Sequence, residues 1–212
     1  MTQLFVLPLA EAARLEAEAR RWFPARAKRA DLMKKPDDRL RCLGAGVLLH
    51  AALQLEEEQI QTTEHGKPFA PQKKLHFNLS HSGEYIVLAV GSAEVGVDVQ
   101  QIGAVHEGVA KRCFTAEELS WYRGDRERFF TVWTLKESVS KAMGLGLGLP
   151  FDSFSVLPLL NGQSISINDR QIYGQALNLP GHALAVCSTE PFDQTIEPAF
   201  LTAETIGNQP NN

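Results

Sequence analysis

Trp133-Thr134-Leu135-Lys136-Glu137-Ser138-Val139-Ser140-Lys141 is the stretch on which the fold turns, and it sits in a run that reads as helix from about Arg126 to Met143. Positions four apart stack on one face of a helix. Phe129, Trp133, Glu137 and Lys141 therefore form a single line. An amphipathic helix ordinarily keeps its charges opposite its aromatics. Here a carboxylate and an ammonium continue the aromatic line, as expected of a helix that leaves the core and enters a cleft. The plain alternative is an exposed Glu-to-Lys pair, worth roughly a few tenths of a kcal/mol.

Outward from that helix, Val95-Gly96-Val97-Asp98-Val99-Gln100 is a short β-branched run with period two. Asp98 and Gln100 share one strand face, away from Val97 and Val99. An acid in so apolar a strand requires a cation, a donor or a metal. Leu4 to Ala10 is apolar, short and without a basic leader, and reads as a first strand rather than a signal peptide. Glu11 to Phe23 has helical spacing and is stopped by Pro24. A second helix carries Leu40, Leu43, Val47, Leu48 and Ala51 inward, with Asp37 or Asp38 as its cap and Glu56-Glu57-Glu58 ending it in solvent.

From Ile60 the period becomes two: a Gly66-Lys67-Pro68 turn, then Leu75, Phe77 and Leu79 in alternation. Tyr85 to Val90 reads as a buried strand with Val95 to Val99 as its hairpin partner. Thr115 to Glu118 has the form of a capping box. Gly144 to Pro150 follows a helix rather than joining strand to helix, so it reads as a helix stop and not a nucleotide loop. Leu88 to Glu94 recurs as Leu184 to Glu190 with five of seven residues identical, a short internal echo.

At 212 residues, with 44% hydrophobic and 22% charged residues, the composition is that of a soluble globular protein. Cys42, Cys113 and Cys187 show no metal-ligand spacing and read as reduced thiols of a cytoplasmic protein. No apolar run approaches the roughly 20 residues of a membrane span. The net charge of −4 hides a basic start: residues 1–41 hold ten Lys/Arg against six Asp/Glu, whereas residues 142–212 hold only Arg170 against six acids. A basic region with few aromatics suits phosphate binding better than nucleic acid.

Gly-Val-Asp-Val-Gln at 96–100 and Trp-x-x-Lys-Glu-x-x-x-Lys at 133–141, with Gly66-Lys67-Pro68 and Phe77-Asn78-Leu79-Ser80-His81-Ser82 ahead of them, resemble the motifs of the 4′-phosphopantetheinyl transferases. The longer, surfactin-synthetase-activating type is the most similar, and the resemblance runs from about Arg26 to Val156. It implies an α+β fold of two similar halves related by a pseudo-twofold, placed at residues 1–101 and 102–206 with a loose tail at 207–212. It implies a cytoplasmic monomer, without nucleic acid or membrane, that moves the phosphopantetheine arm of coenzyme A onto a serine of an acyl or peptidyl carrier protein. The implied metal is Mg²⁺, with Mn²⁺ as its substitute.

Residue by residue, the resemblance implies Asp98, Gln100 and Glu137 at the metal, Glu137 as base and Lys141 at the pyrophosphate. It also implies Ser80, His81 and Lys67 at the coenzyme A phosphates, with Arg26, Arg29 and Arg41 toward the 3′-phosphate. Gln100 departs from the pattern, since the family commonly has glutamate there; a glutamine offers an oxygen without charge, so a looser metal site is expected. Two other functions fit part of this chemistry: a Mg²⁺-dependent hydrolase of nucleotide pyrophosphates, and a coenzyme A binding module without turnover.

Overall fold

The computed structural model describes residues 1–64 and 66–207. Strand β1 (Gln3–Pro8) leads into three short helices, α1 (Leu9–Arg14), α2 (Glu16–Trp22) and α3 (Pro24–Asp31), and then the long α4 (Pro36–Leu53). The single helix expected from Glu11 to Phe23 is broken at Leu15, where φ is −107° and ψ 16°. A helix does stop ahead of Pro24, since α2 ends at Trp22, and Pro24 also opens α3, because the first helical position needs no N–H. Likewise Pro36 opens α4 behind Lys35, so Asp37 and Asp38 lie in the first turn rather than at the cap, where the helix dipole favours acids.

A small hairpin, β2 (Gln61–Thr62) with β3 (Pro68–Phe69), precedes a larger one, β4 (His76–Ser82) with β5 (Tyr85–Gly91). Strand β6 (Val95–Gln101) then leads to α5 (Glu107–Cys113), α6 (Ala116–Tyr122) and the long α7 (Arg126–Met143), whose bounds are those the sequence implied. After α8 (Leu157–Leu160) come β7 (Ile165–Ile167), the β8 (Arg170–Leu179) and β9 (His182–Ser188) hairpin, β10 (Pro198–Phe200) and α9 (Ala203–Gly207). Gly207 closes α9; residues 208–212 of the expected tail lie outside the described residues.

The strands form two four-stranded sheets, ordered β10-β1-β5-β4 and β6-β9-β8-β7. Each contains the same order: a strand, a long helix, then a hairpin whose return strand pairs antiparallel with that first strand. Helices and sheets enclose three apolar clusters, one under α4, one under α7 and one between the sheets.

The expected hairpin of β5 with β6 does not form: β6 pairs with β9, Asp98 standing opposite Ala185. The second sheet thus takes a strand from ahead of residue 102. What holds β6 to the first sheet is a row of side chains. Asn78, Ser80 and Ser82, alternate residues of β4, accept the N–H groups of Val97 (3.0 Å), Val99 (3.3 Å) and Gln101 (2.9 Å). An exposed sheet edge is a pairing liability, and here two edges satisfy each other across a seam.

The hairpin registers also locate corresponding positions. Ser82 pairs with Tyr85 and Leu179 with His182, so Asn78 corresponds to Gln175 and Leu88 to Ala185. Phe5 stands opposite Leu88 as Asp98 stands opposite Ala185. The echo of Leu88–Glu94 in Leu184–Glu190 therefore begins on matching strands but one residue out of register. A slip of one residue exchanges the two faces of a strand: Leu88 packs under α4, and Leu184 packs between the sheets.

Candidate functional site

A cleft of about 630 Å³ opens where β4, β6 and α7 meet α3 and α4. Its lining includes Arg26, Arg29, Ser80, His81, Asp98, Gln100, Trp133, Glu137 and Lys141. Eight of the residues proposed from sequence are thus brought together. Asp125 starts α7 by accepting the Arg128 N–H (2.9 Å), and Gly144 ends it at φ 70°. Phe129 and Trp133 stack along the helix at 6.5 Å, and the next residues on that line, Glu137 and Lys141, enter the cleft. α7 lies close on β6 because residue 96 is glycine; a Cβ there would come within 2.0 Å of the Ser138 carbonyl oxygen.

Asp98 is the centre of the site and only 2% exposed. Its Oδ1 accepts Lys141 Nζ at 2.5 Å and Ser80 Oγ at 2.8 Å, and its Oδ2 accepts Gln100 Nε2 at 3.0 Å. Lys141 also donates to the Val97 carbonyl (3.2 Å) and Ser80 Oγ (3.4 Å). A buried acid is tolerated here because a cation and two donors surround it. Glu137, by contrast, is half-buried with no hydrogen bond or ion pair among the described residues. Burial, and then the charge of Asp98, push its carboxyl above the usual glutamate value of 4.5, with Lys141 pulling the other way.

Two acids and a glutamine amide facing one space are a donor set that suits a hard divalent ion, which takes one or two carboxylates with waters and phosphates. No group of three or more His, Cys, Asp or Glu that could hold a metal occurs among the described residues. Gln100 turns its amide nitrogen toward Asp98, so in this arrangement it steadies the acid as a donor.

The same cleft has a cationic lining. α3 carries Arg26 and Arg29. Arg26 donates to the Cys42 carbonyl (3.3 Å), and its Nε is buried without a partner among the described residues. Burial lowers its pKa first of all, with the charge of Arg29 adding to the effect. His81 is held below 6.5 by desolvation and then by Arg41. Arg41 itself stands behind the lining, bound to the Gly83 carbonyl (2.7 Å) and Asp38 (2.6 Å). Lys67 is the other residue not brought to the cleft. Gly66 and Pro68 line it, but Lys67 Nζ is held by Glu94 (2.5 Å) and the Val95 carbonyl (3.3 Å).

Sequence reasoning assigned no role to Lys136, inside the same motif. It turns away from the cleft and is fully buried, donating to the carbonyls of Phe151 (2.6 Å) and Phe154 (2.7 Å) and pairing with buried Glu118 at 2.8 Å. Glu118 also accepts the Thr115 and Val156 N–H groups, both at 2.8 Å. All three ammonium protons and both carboxylate oxygens are used. Truncating either partner would cost about 3–5 kcal/mol. The capping box at Thr115 was legible; that its glutamate also locks α7 was not, because nothing in the spacing of residues 118 and 136 signals a contact.

The 4′-phosphopantetheinyl transferase superfamily model matches residues 94–187. The chain is 35% identical to 4′-phosphopantetheinyl transferase Sfp of Bacillus subtilis (strain 168) over 171 residues, covering 73% of this chain and 76% of that protein. It is 32% identical to 4′-phosphopantetheinyl transferase psf-1 of Bacillus pumilus over 192 residues, 83% and 82% of the two chains. A mouse (Mus musculus) L-aminoadipate-semialdehyde dehydrogenase-phosphopantetheinyl transferase is 30% identical over 200 residues, 74% and 64%. Asp98, Glu137 and Lys141 fall within the residues that the family model matches, and the chain belongs to the 4′-phosphopantetheinyl transferase superfamily.

Proposed function

We propose that the chain transfers the 4′-phosphopantetheine arm of coenzyme A to a serine of an acyl or peptidyl carrier protein, and that it does so in the cleft at the β4–β6 seam. The observation that carries this is a single cleft lined by both kinds of charge: acids and Lys141 from β6 and α7, arginines from α3, and His81 from β4. The arginines and His81 bind the phosphates. Arg26, with a buried donor that lacks a partner among the described residues, gains most from an anion, since an unpaired buried donor costs about 1–3 kcal/mol.

Glu137 takes the proton of the attacking serine hydroxyl. As the serine oxygen bonds to phosphorus, the bridging P–O bond of the pyrophosphate breaks and adenosine 3′,5′-bisphosphate leaves. Lys141 faces the charge that develops on the phosphoryl oxygens. Asp98 and Glu137 would hold Mg²⁺, whose role is to neutralise the pyrophosphate charge; Mn²⁺ has the same oxygen-ligand chemistry.

Monomer and cytoplasm remain part of this reading; three free cysteines support the latter, and no described helix is long and apolar enough to cross a membrane. The pseudo-twofold is likewise our inference, supported by the shared strand–helix–hairpin order. Incubation with coenzyme A, Mg²⁺ and an apo carrier protein, read by mass spectrometry, tests the function. A phosphopantetheinylated serine supports it. Hydrolysis of coenzyme A without transfer, or binding without either, overturns it in favour of a pyrophosphate hydrolase or an inert binding module.

A further inference from the structure

The acidic run Glu56-Glu57-Glu58, expected to end an element in solvent, contains a residue that is not idle. Glu57 accepts the Ala25 N–H at 2.5 Å on one oxygen and the Arg26 N–H at 2.7 Å on the other. These are the amides that α3 leaves open. Pro24 at its start has no N–H, Phe23 before it provides no side-chain cap, and the Ala27 N–H is already bonded to Phe23. Free amides at a helix start need an acceptor, ordinarily from the residue just before the helix. Here the acceptor comes from 31 residues along the chain.

Glu57 is itself fixed. It belongs to a single 3₁₀ turn, Glu57–Gln59, closed by a reciprocal box between Glu56 and Gln59. That turn leads into β2, and β2–β3 supplies Thr62 and Pro68 to the cleft that Arg26 and Arg29 also line. One carboxylate therefore ties the helix that bears both arginines to the hairpin that shares their cleft. Its charge also offsets part of the desolvation and Arg29 repulsion acting on Arg26.

We infer that Glu57 is a positioning residue for coenzyme A binding: it sets where α3 presents Arg26 and Arg29 relative to the β2–β3 wall. The inference rests on the reading that these arginines bind the phosphates. Its consequences are confined to that end of the cleft, because Glu57 touches neither Asp98 nor Glu137.

Calorimetric titration of coenzyme A into Glu57→Ala, Arg26→Ala and the double variant tests it. Glu57→Gln, which keeps size and one acceptor oxygen, serves if the alanine variant does not fold. Loss of a cap of this kind predicts binding weaker by about fivefold for Glu57→Ala. Arg26→Ala should lose about tenfold or more. The double variant should be weaker than Arg26→Ala by less than the full Glu57→Ala loss, because the displaced helix then misplaces Arg29 alone. Turnover of Glu57→Ala at saturating coenzyme A should stay within about twofold of wild type. Wild-type affinity in Glu57→Ala beside weakened Arg26→Ala overturns the positioning role and leaves the arginine reading intact. Additive losses also overturn it, as they would follow from unrelated destabilisation. Wild-type affinity in Arg26→Ala overturns both.

Discussion

The two sheets place corresponding residues in opposite circumstances. On β6, Asp98 and Gln100 stand over a cleft; at the matching places on β1, Phe5 and Leu7 pack under α4. On β4, the Asn78 amide oxygen receives the Val97 N–H of β6 itself. On β8, the corresponding Gln175 bonds the backbone of Ile196 instead, through both its oxygen (2.8 Å) and its nitrogen (2.9 Å). Ile196 leads into β10, which lies along β1. At one seam two edges meet directly and the gap above them holds charge. At the other a strap of chain fills the joint. The long helices repeat the contrast: α4 is buried without a break from Cys42 to Leu49, whereas α7 turns Glu137 and Lys141 into the cleft. One topology, used twice, opens the proposed site where the strap is missing.

Removing the cation from the open seam should have the largest effect of the variants that probe this contrast. Lys141→Ala takes away a donor aimed at developing charge, worth about a hundredfold in rate or more. It also leaves Asp98 buried without its counter-charge, at a stability cost of about 1–3 kcal/mol. Initial rates of carrier modification and chemical denaturation read the two losses separately.

The matched amides sharpen the comparison. Asn78→Ala and Gln175→Ala each strand backbone groups and should each cost about 1–3 kcal/mol of stability. Only Asn78→Ala should slow transfer, by about tenfold, because only its strand partner carries Asp98. Gln175→Ala should keep its rate within about twofold at a temperature where it is folded. Equal rate losses would mean that the strapped seam takes part in the chemistry.

Most of this was legible in the sequence wherever period and chemistry agreed. The bounds of α7 followed from the aromatic spacing before Glu137 and from Gly144, and the shared face of Asp98 and Gln100 followed from strict alternation. What was hidden depended on partners far along the chain. Alternation marks Val95–Val99 as a strand but does not say which strand it pairs with, so the nearest neighbour β5 stood in for β9. Lys67 has the same composition around it whether it faces phosphate or Glu94. Glu57 looked like solvent-facing charge because the backbone donors to its carboxylate lie in α3, ahead of α4.

Gln100→Glu probes how far the open seam is tuned. A third carboxylate should lower the Mg²⁺ concentration for half-maximal transfer by roughly threefold or more, since ligand charge tunes hard-ion sites. Without metal it should weaken coenzyme A binding, because the donor bond to Asp98 Oδ2 is replaced by like charge. An unchanged metal requirement would separate residue 100 from the ion.

The smallest effect concerns His81. Arg41 lowers its pKa through charge, after desolvation, so Arg41→Ala should raise the His81 pKa toward 6.5. Bound phosphate should raise it in both proteins, because an anion favours the imidazolium. The protonated fraction at a fixed pH just above neutrality therefore increases in the variant. Ring-proton NMR titration reads this directly, and a fall on Arg41→Ala would remove Arg41 from the neighbourhood of the cleft.

The claim that matters most is that the β4–β6 seam performs the transfer and that Glu137 is its base. Mass spectrometry of an apo carrier protein incubated with coenzyme A and Mg²⁺, wild type beside Glu137→Gln, tests it most directly when coenzyme A binding is measured in parallel. The expected result is a modified serine with wild type, a loss of about a hundredfold or more with the variant, and retained coenzyme A binding in both. Near-wild-type transfer by Glu137→Gln at saturating Mg²⁺ would contradict the account and return Glu137 to an ordinary place on the surface of its helix.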